Sequence, residues 1–150
     1  MKTVLIKDIE YPVYATIDEA NEYFNASFGS NWDSIDDETK NVLLVSATRS
    51  IDKAEWKGTE VEEKQPLAFP RYIAGKLSDE DLLMRACCEE AIAIYKSGTS
   101  DTSNTEGIES IKVQDTQITF KANAKEQGFK SNVVDELLRP YMYLGVSVLF

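Results

Sequence analysis

The chain has 150 residues, 26 acidic against 16 basic, a formal charge of −10, and no histidine. A chain of this length forms one domain that buries roughly 70% of its unfolded surface, and its 43% hydrophobic and 28% charged residues exclude wholesale disorder. The missing histidine excludes His-based catalytic triads and His-ligated metals, and no apolar run reaches the roughly 20 residues of a membrane helix.

Residues 3–15, TVLIKDIEYPVYA, are β-prone and read as one extended arm, with Pro12 holding it at an edge. The Lys2 and Lys7 charges lack the apolar run and small-residue site of a signal peptide. Thr16 with Glu19 forms a capping box that opens a helix carrying Ala20, Tyr23 and Phe24 on one face and ending by Gly29 to Asn31. A second helix is expected from about Ser34 to Ala54, with Asp36, Asp37 and Glu38 at its positive end. Its apolar stripe is Leu43, Ala47, Ile51 and Ala54, flanked by Leu44 and Thr48. Residues 59–77 read as a long irregular connection. Ser78 with Asp81 reads as another capping box, opening a helix over 79–97 whose inner face is Leu83, Cys87, Ala91, Ile94 and Tyr95. Residues 97–107 are small and polar and read as a flexible loop. The alternating segments within 108–122 read as a hairpin. A short helix follows over 133–138, stopped by Pro140, and then an apolar tail ending in YLGVSVLF.

Little in this pattern carries chemistry. The acidic runs 36–38 and 79–81 sit at expected helix starts, where the dipole accounts for them without a catalytic pair or a Ca²⁺ or Mg²⁺ site. Cys87 and Cys88 are adjacent, so they imply no disulfide framework. Cys87 lies on an apolar stripe and reads as a small hydrophobe, and a reducing, cytosolic site of synthesis fits. The dispersed glycines form no phosphate loop, and no cofactor is implied. Trp32, Trp56, Phe69 and Tyr72 could stack on bases, but Lys57 and Arg71 are set among Glu55, Glu60, Glu62 and Glu63, so packing is the preferred role for all four. The apolar tail completes the sheet of the 108–122 hairpin or augments a partner.

The order Tyr14-Ala15-Thr16, Glu19-Ala20, Tyr23-Phe24, then Ala47 to Asp52, Trp56-Lys57-Gly58 and Gln65 to Arg71 resembles a family of tailed-phage head–tail connector proteins (adaptor, or head-completion, proteins). The helix at 79–97, Ile111-Lys112-Val113, Ile118-Thr119-Phe120 and Leu137 to Tyr141 continue the likeness, which spans residues 11–142. Some members carry the label DnaT-like single-stranded DNA-binding protein. The Trp56-Lys57-Gly58 and Phe69-Pro70-Arg71 pair is its most specific part, and these residues read as structural. The resemblance implies a mainly α fold, a small helical bundle with an accessory β-hairpin and extended N- and C-terminal segments. It implies no catalysis. It also implies a homo-oligomeric, usually dodecameric ring in the neck of the virion. Such a ring would bind the portal protein, receive a downstream neck or tail-completion protein, and pass double-stranded DNA without tight binding.

On this reading residues 1–150 are one adaptor domain: arm 1–15, helical core 16–97, loop 98–107, hairpin 108–122, and helix with tail 133–150. The charge of −10 suits a conduit that repels phosphate and counts against the DNA-binding label. Leu137, Leu138, Arg139, Tyr141, Tyr143, Leu149 and Phe150 are expected at the portal or subunit interface. No membrane partner is expected. The alternatives are a single-stranded DNA-binding accessory protein of replication and an acidic regulator of a host protein.

Overall fold

Four α-helices and two small antiparallel sheets make up residues 1–101 and 129–143, which the computed structural model describes. The class is therefore mixed α/β, with more strand than a helical bundle bearing one hairpin. The expected hairpin at 108–122, together with Leu149 and Phe150, lies outside the described residues.

The N-terminal segment is not an arm. β1 (Thr3–Ile6) and β2 (Ile9–Pro12) pair as a hairpin, with Val4 opposite Tyr11 and Ile6 opposite Ile9. Lys7 and Asp8 both take positive φ, 50° and 68°, the turn geometry that matches strand twist. Neither residue is the Asn-Gly pair that marks such turns in sequence, so the reversal was not legible. Val4 and Val13 are buried, and β1 packs on α2, which fixes the hairpin to the core.

α1 (Ile17–Asn25) starts as its sequence demands: Thr16 Oγ1 accepts from Glu19 N–H at 3.2 Å and Glu19 Oε1 accepts from Thr16 N–H at 3.0 Å. A 3₁₀ turn (Trp32–Ser34) follows and buries Trp32 completely. Its indole N–H donates to Asn21 Oδ1 at 2.8 Å, and Lys40 Nζ donates to the same oxygen at 2.9 Å while lying 5.5 Å from the indole ring.

α2 (Asp37–Lys53) begins later than Ser34, because Asp36 is the cap: its carboxylate accepts from Thr39 N–H at 3.1 Å and from the Thr39 hydroxyl at 2.8 Å. These bonds hold the Asp36 carboxyl below its ordinary range. Leu43, Leu44, Ala47, Thr48 and Ile51 are buried as their spacing requires. They meet Leu83, Ala86, Cys87 and Ala91 of α3 (Glu80–Asp101). Here too the cap moves. Asp79 Oδ1 accepts from Asp81 N–H at 3.0 Å, whereas Ser78 Oγ accepts from Arg71 N–H at 3.1 Å. α3 also runs through Asp101, into the start of the expected flexible loop.

Residues 59–77 are irregular only in part, over 61–70 and the turn at 74–75. β3 (Thr59–Glu60), β4 (Arg71–Ile73) and β5 (Lys76–Leu77) form a three-stranded sheet in that order. Strands of two or three residues are too short for alternation to show in a sequence. α4 (Asn132–Leu138) packs on α3 and ends in a 3₁₀ turn (Arg139–Tyr141) that carries Pro140.

Glu90, almost fully buried on α3, holds this last element: its carboxylate accepts from Lys130 N–H and Ser131 N–H, each at 3.1 Å. Burial pushes its carboxyl above the ordinary range. Among the described residues no helix is long and apolar enough to cross a membrane.

Candidate functional site

The two motif triplets converge where α2 ends. Trp56 follows the helix, is buried, and donates its indole N–H to Ile51 O at 3.0 Å. Its ring meets Phe69 edge-on with centroids 5.0 Å apart and stacks on Phe129 at 6.3 Å. Phe69 in turn contacts Tyr14 and Tyr141, at 6.1 and 5.7 Å.

Arg71 ties the triplets together through the backbone. Its guanidinium donates to Lys57 O at 2.8 Å, Gly58 O at 2.9 Å and Ala68 O at 3.2 Å. Gly58 has φ 78°, and a Cβ there would lie 2.0 Å from Tyr72 O, so only glycine fits. Gln65 Nε2 lies within bonding distance of Leu67 O, Ala68 O and Pro70 O, which braces the same loop. The Phe69–Pro70 peptide bond is cis.

Tyr14 and Asp52 form the buried polar link. The Tyr14 hydroxyl donates to Asp52 Oδ1 at 2.5 Å and accepts from Phe69 N–H at 3.1 Å, while Asp52 Oδ1 also accepts from Ala68 N–H at 3.1 Å. Burial, then the neighbouring carboxylate, pushes the Tyr14 phenol above its ordinary value, and burial pushes the Asp52 carboxyl up as well. Removing the hydroxyl in Tyr14→Phe leaves a buried carboxylate oxygen and a backbone N–H each short of a partner. We expect a loss of about 1–2 kcal/mol in urea unfolding, and an unchanged midpoint would show that the link does not hold the loop. Tyr14, Asp52 and Gln65 stand in the motif order of the sequence reading, which gives them no role. The available signal was Asp52, a carboxylate one residue beyond the buried Ile51 at the end of an apolar stripe.

What this scaffold displays is the three-stranded sheet. Tyr72 sits opposite Thr59 on one side and Leu77 on the other, so these three share a face. Arg71 is opposite Glu60, and Ile73 opposite Lys76, on the reverse face. Tyr72 is 47% exposed and Leu77 60% exposed. Trp32, Trp56 and Phe69 are buried, as the packing expectation requires; Tyr72 departs from it.

The surrounding sequence is locally basic. Residues 64–78 hold Lys64, Arg71 and Lys76 and no acidic residue, the longest acid-free stretch in the chain. Beside the sheet lies a cavity of about 500 Å³ whose wall includes Tyr14, Leu67, Phe69, Leu77, Glu62 and Glu80.

The expected interface residues do not form one surface. Leu138 is fully buried, and Leu137 packs against the core. Tyr141 lies on Phe69, and its hydroxyl accepts from Asp79 N–H at 2.9 Å. Arg139 approaches Asp135 at 3.5 Å, four residues away on the same helical face. Tyr143 is 48% exposed, but its N–H is tied to Glu55 O. Leu138 and Tyr141 therefore serve the core, because α4 must bury its apolar face against α3. Cys87 and Cys88 are buried free thiols, and burial pushes Cys87 up to about 11, which makes it a poor nucleophile. Among the described residues no group of three or more acidic or cysteine side chains is placed to hold a metal ion.

A family model described as "Putative DnaT-like ssDNA binding protein" matches residues 9–148. No curated protein and no solved structure matches. The family match corrects the principal functional reading from sequence: it supports the single-stranded DNA-binding alternative and not a structural head–tail connector of a virion.

Proposed function

The chain belongs to the DnaT-like ssDNA-binding protein family, and from that premise we propose that it is a non-enzymatic accessory protein that binds single-stranded DNA. The observation that carries this reading is the match over residues 9–148, nearly the whole chain.

The physical objection is the charge of −10. Binding of a polyanion depends on cations where the strand touches, and the average field is screened beyond about 10 Å at moderate salt. Residues 64–78 supply such a local region, with an exposed aromatic inside it. A single strand can follow a small patch and expose its bases to stacking, whereas a duplex keeps its bases stacked inside and carries a denser charge.

Fluorescence anisotropy with a labelled oligothymidylate, and with a duplex of the same length, tests the reading. The expected result is saturable binding of the single strand that weakens as salt rises, with weaker binding of the duplex. Absence of binding to the single strand at low salt overturns it.

A further inference from the structure

Resting on the single-stranded DNA reading, we propose that the strand crosses the three-stranded sheet, with Tyr72 as its base-stacking platform and the lysines at the sheet's two edges, Lys57 and Lys76, as its phosphate contacts. Among the described residues the strongly exposed aromatic side chains are Phe28, Tyr72 and Tyr143. Phe28 lies in the chain between Glu22 and the acids that begin at Asp33. Tyr143 is tied by its backbone to Glu55. Tyr72 falls within the longest acid-free stretch, 64–78, which carries Lys64, Arg71 and Lys76, whereas the acid-free stretch 137–150 around Tyr143 carries Arg139 alone. A base stacked on Tyr72 thus has the most cations near it in the chain.

The register supplies the platform. Thr59, Tyr72 and Leu77 present an uncharged face, and Val61 N–H donates to Pro70 O at 3.2 Å, which continues the β3–β4 pairing beyond the strands. Leu77, Val61 and Pro70 also belong to the wall of the 500 Å³ cavity, so the apolar surface runs from the sheet into a recess. Glu62 and Glu80 in that wall repel phosphate and leave the recess to apolar groups.

Two lysines stand at the sheet's edges, where a long side chain reaches past the edge strand; by register Lys76 is opposite Ile73, on the face behind Tyr72. Lys57 precedes the β3 edge strand and Lys76 lies in the β5 edge strand, both exposed. Arg71 lies on the reverse face with its guanidinium on three carbonyl oxygens, so it braces the loop and is not a phosphate contact. With strands about 4.8 Å apart, the sheet is roughly 10 Å wide, a short site. Glu60 and the acids at Asp79 to Asp81 bound it. Stacking uses the π-face that every base has, so binding is tolerant of sequence.

The test is the affinity of the full chain for a labelled oligothymidylate across a salt series. Two phosphate contacts to a single strand give a slope of log K against log salt of about −1.4. Lys57→Gln and Lys76→Gln should each make that slope shallower by about 0.7. Tyr72→Ala should weaken binding about tenfold with the slope unchanged, and Tyr72→Phe, which keeps the ring, should restore it. Circular dichroism melting should be the same for all variants, since these side chains are exposed. If the unaltered chain binds and Tyr72→Ala binds equally well, the site is wrong while the DNA-binding reading stands. If the unaltered chain does not bind at low salt, both fall.

Discussion

Trp56→Ala is expected to cost about 3–5 kcal/mol in urea unfolding, the range for truncating a buried large aromatic side chain. A domain of this size has only about 5–15 kcal/mol to lose, so the variant should be marginal at 37 °C. The size of the effect follows from where the indole sits. It joins three separate parts of the chain: the end of α2 through the bond to Ile51 O, the 68–71 loop through Phe69, and the entry to α4 through Phe129. No single neighbour can close the space left behind. Trp56→Phe keeps most of the ring contact and loses the bond to Ile51 O, so it should cost clearly less. A loss below about 1 kcal/mol for the alanine variant would mean that Phe69, Phe129 and Tyr141 repack without it. The same experiment separates scaffold from surface: Trp56→Ala lowers stability, whereas Tyr72→Ala leaves it unchanged and acts on DNA.

Glu90→Ala comes next, with an expected loss of about 2–3 kcal/mol, because two backbone N–H groups lose their charge-assisted partner in a buried position. Its ionisation also gives the fold a pH dependence of definite sign. Burial raises the carboxyl in the folded chain above its unfolded value. The protonated form is then favoured by folding. Its stabilising share is complete below the ordinary glutamate range and is lost as pH rises through the raised folded value. Asp52, also raised by burial, adds in the same direction. Stability should therefore increase as pH is lowered from neutral toward the upper carboxylate range. It should fall again only at more acid pH, where carboxylates such as Asp36, held low by its cap bonds, are protonated. Thermal melting in moderate salt, which screens the general repulsion of a chain carrying −10, measures this. Glu90→Gln should flatten the rise. An unaltered rise in that variant would show that Glu90 ionisation is not linked to folding.

These two expectations and the DNA experiments probe different layers of one arrangement. Tyr14, Asp52, Trp56, Gln65 and Arg71 hold the loop that leads into β4, and the sheet then offers Tyr72 to solvent. Apart from Lys57, the motif triplets thus shape the surface from behind.

The sequence by itself determined the helices and the layer they bury. The Thr16–Glu19 capping box, the stripe Leu43–Ala47–Ile51 and the inner face Leu83–Cys87–Ala91 are local patterns, written within a few turns of one helix, and each appears where its spacing places it. It also carried the order of the family motifs. The tertiary structure decided the rest. The hairpin at Lys7 and Asp8 turns without a glycine, and it is stabilised by packing on α2 rather than by turn chemistry. The cap of α2 fell to Asp36, whose carboxylate reaches Thr39, and the cap of α3 fell to Asp79, because Ser78 Oγ was taken by the backbone of Arg71. The sheet at 59–77 exists because Arg71, Gln65 and the Tyr14–Asp52 pair fold its loop back on itself. Leu138 and Tyr141 went to the core and Tyr72 to the surface for the same reason. Which side of an amphipathic segment faces solvent depends on what a distant part of the chain brings against it, and hydrogen bonds across 38 or 55 residues leave no local pattern to read.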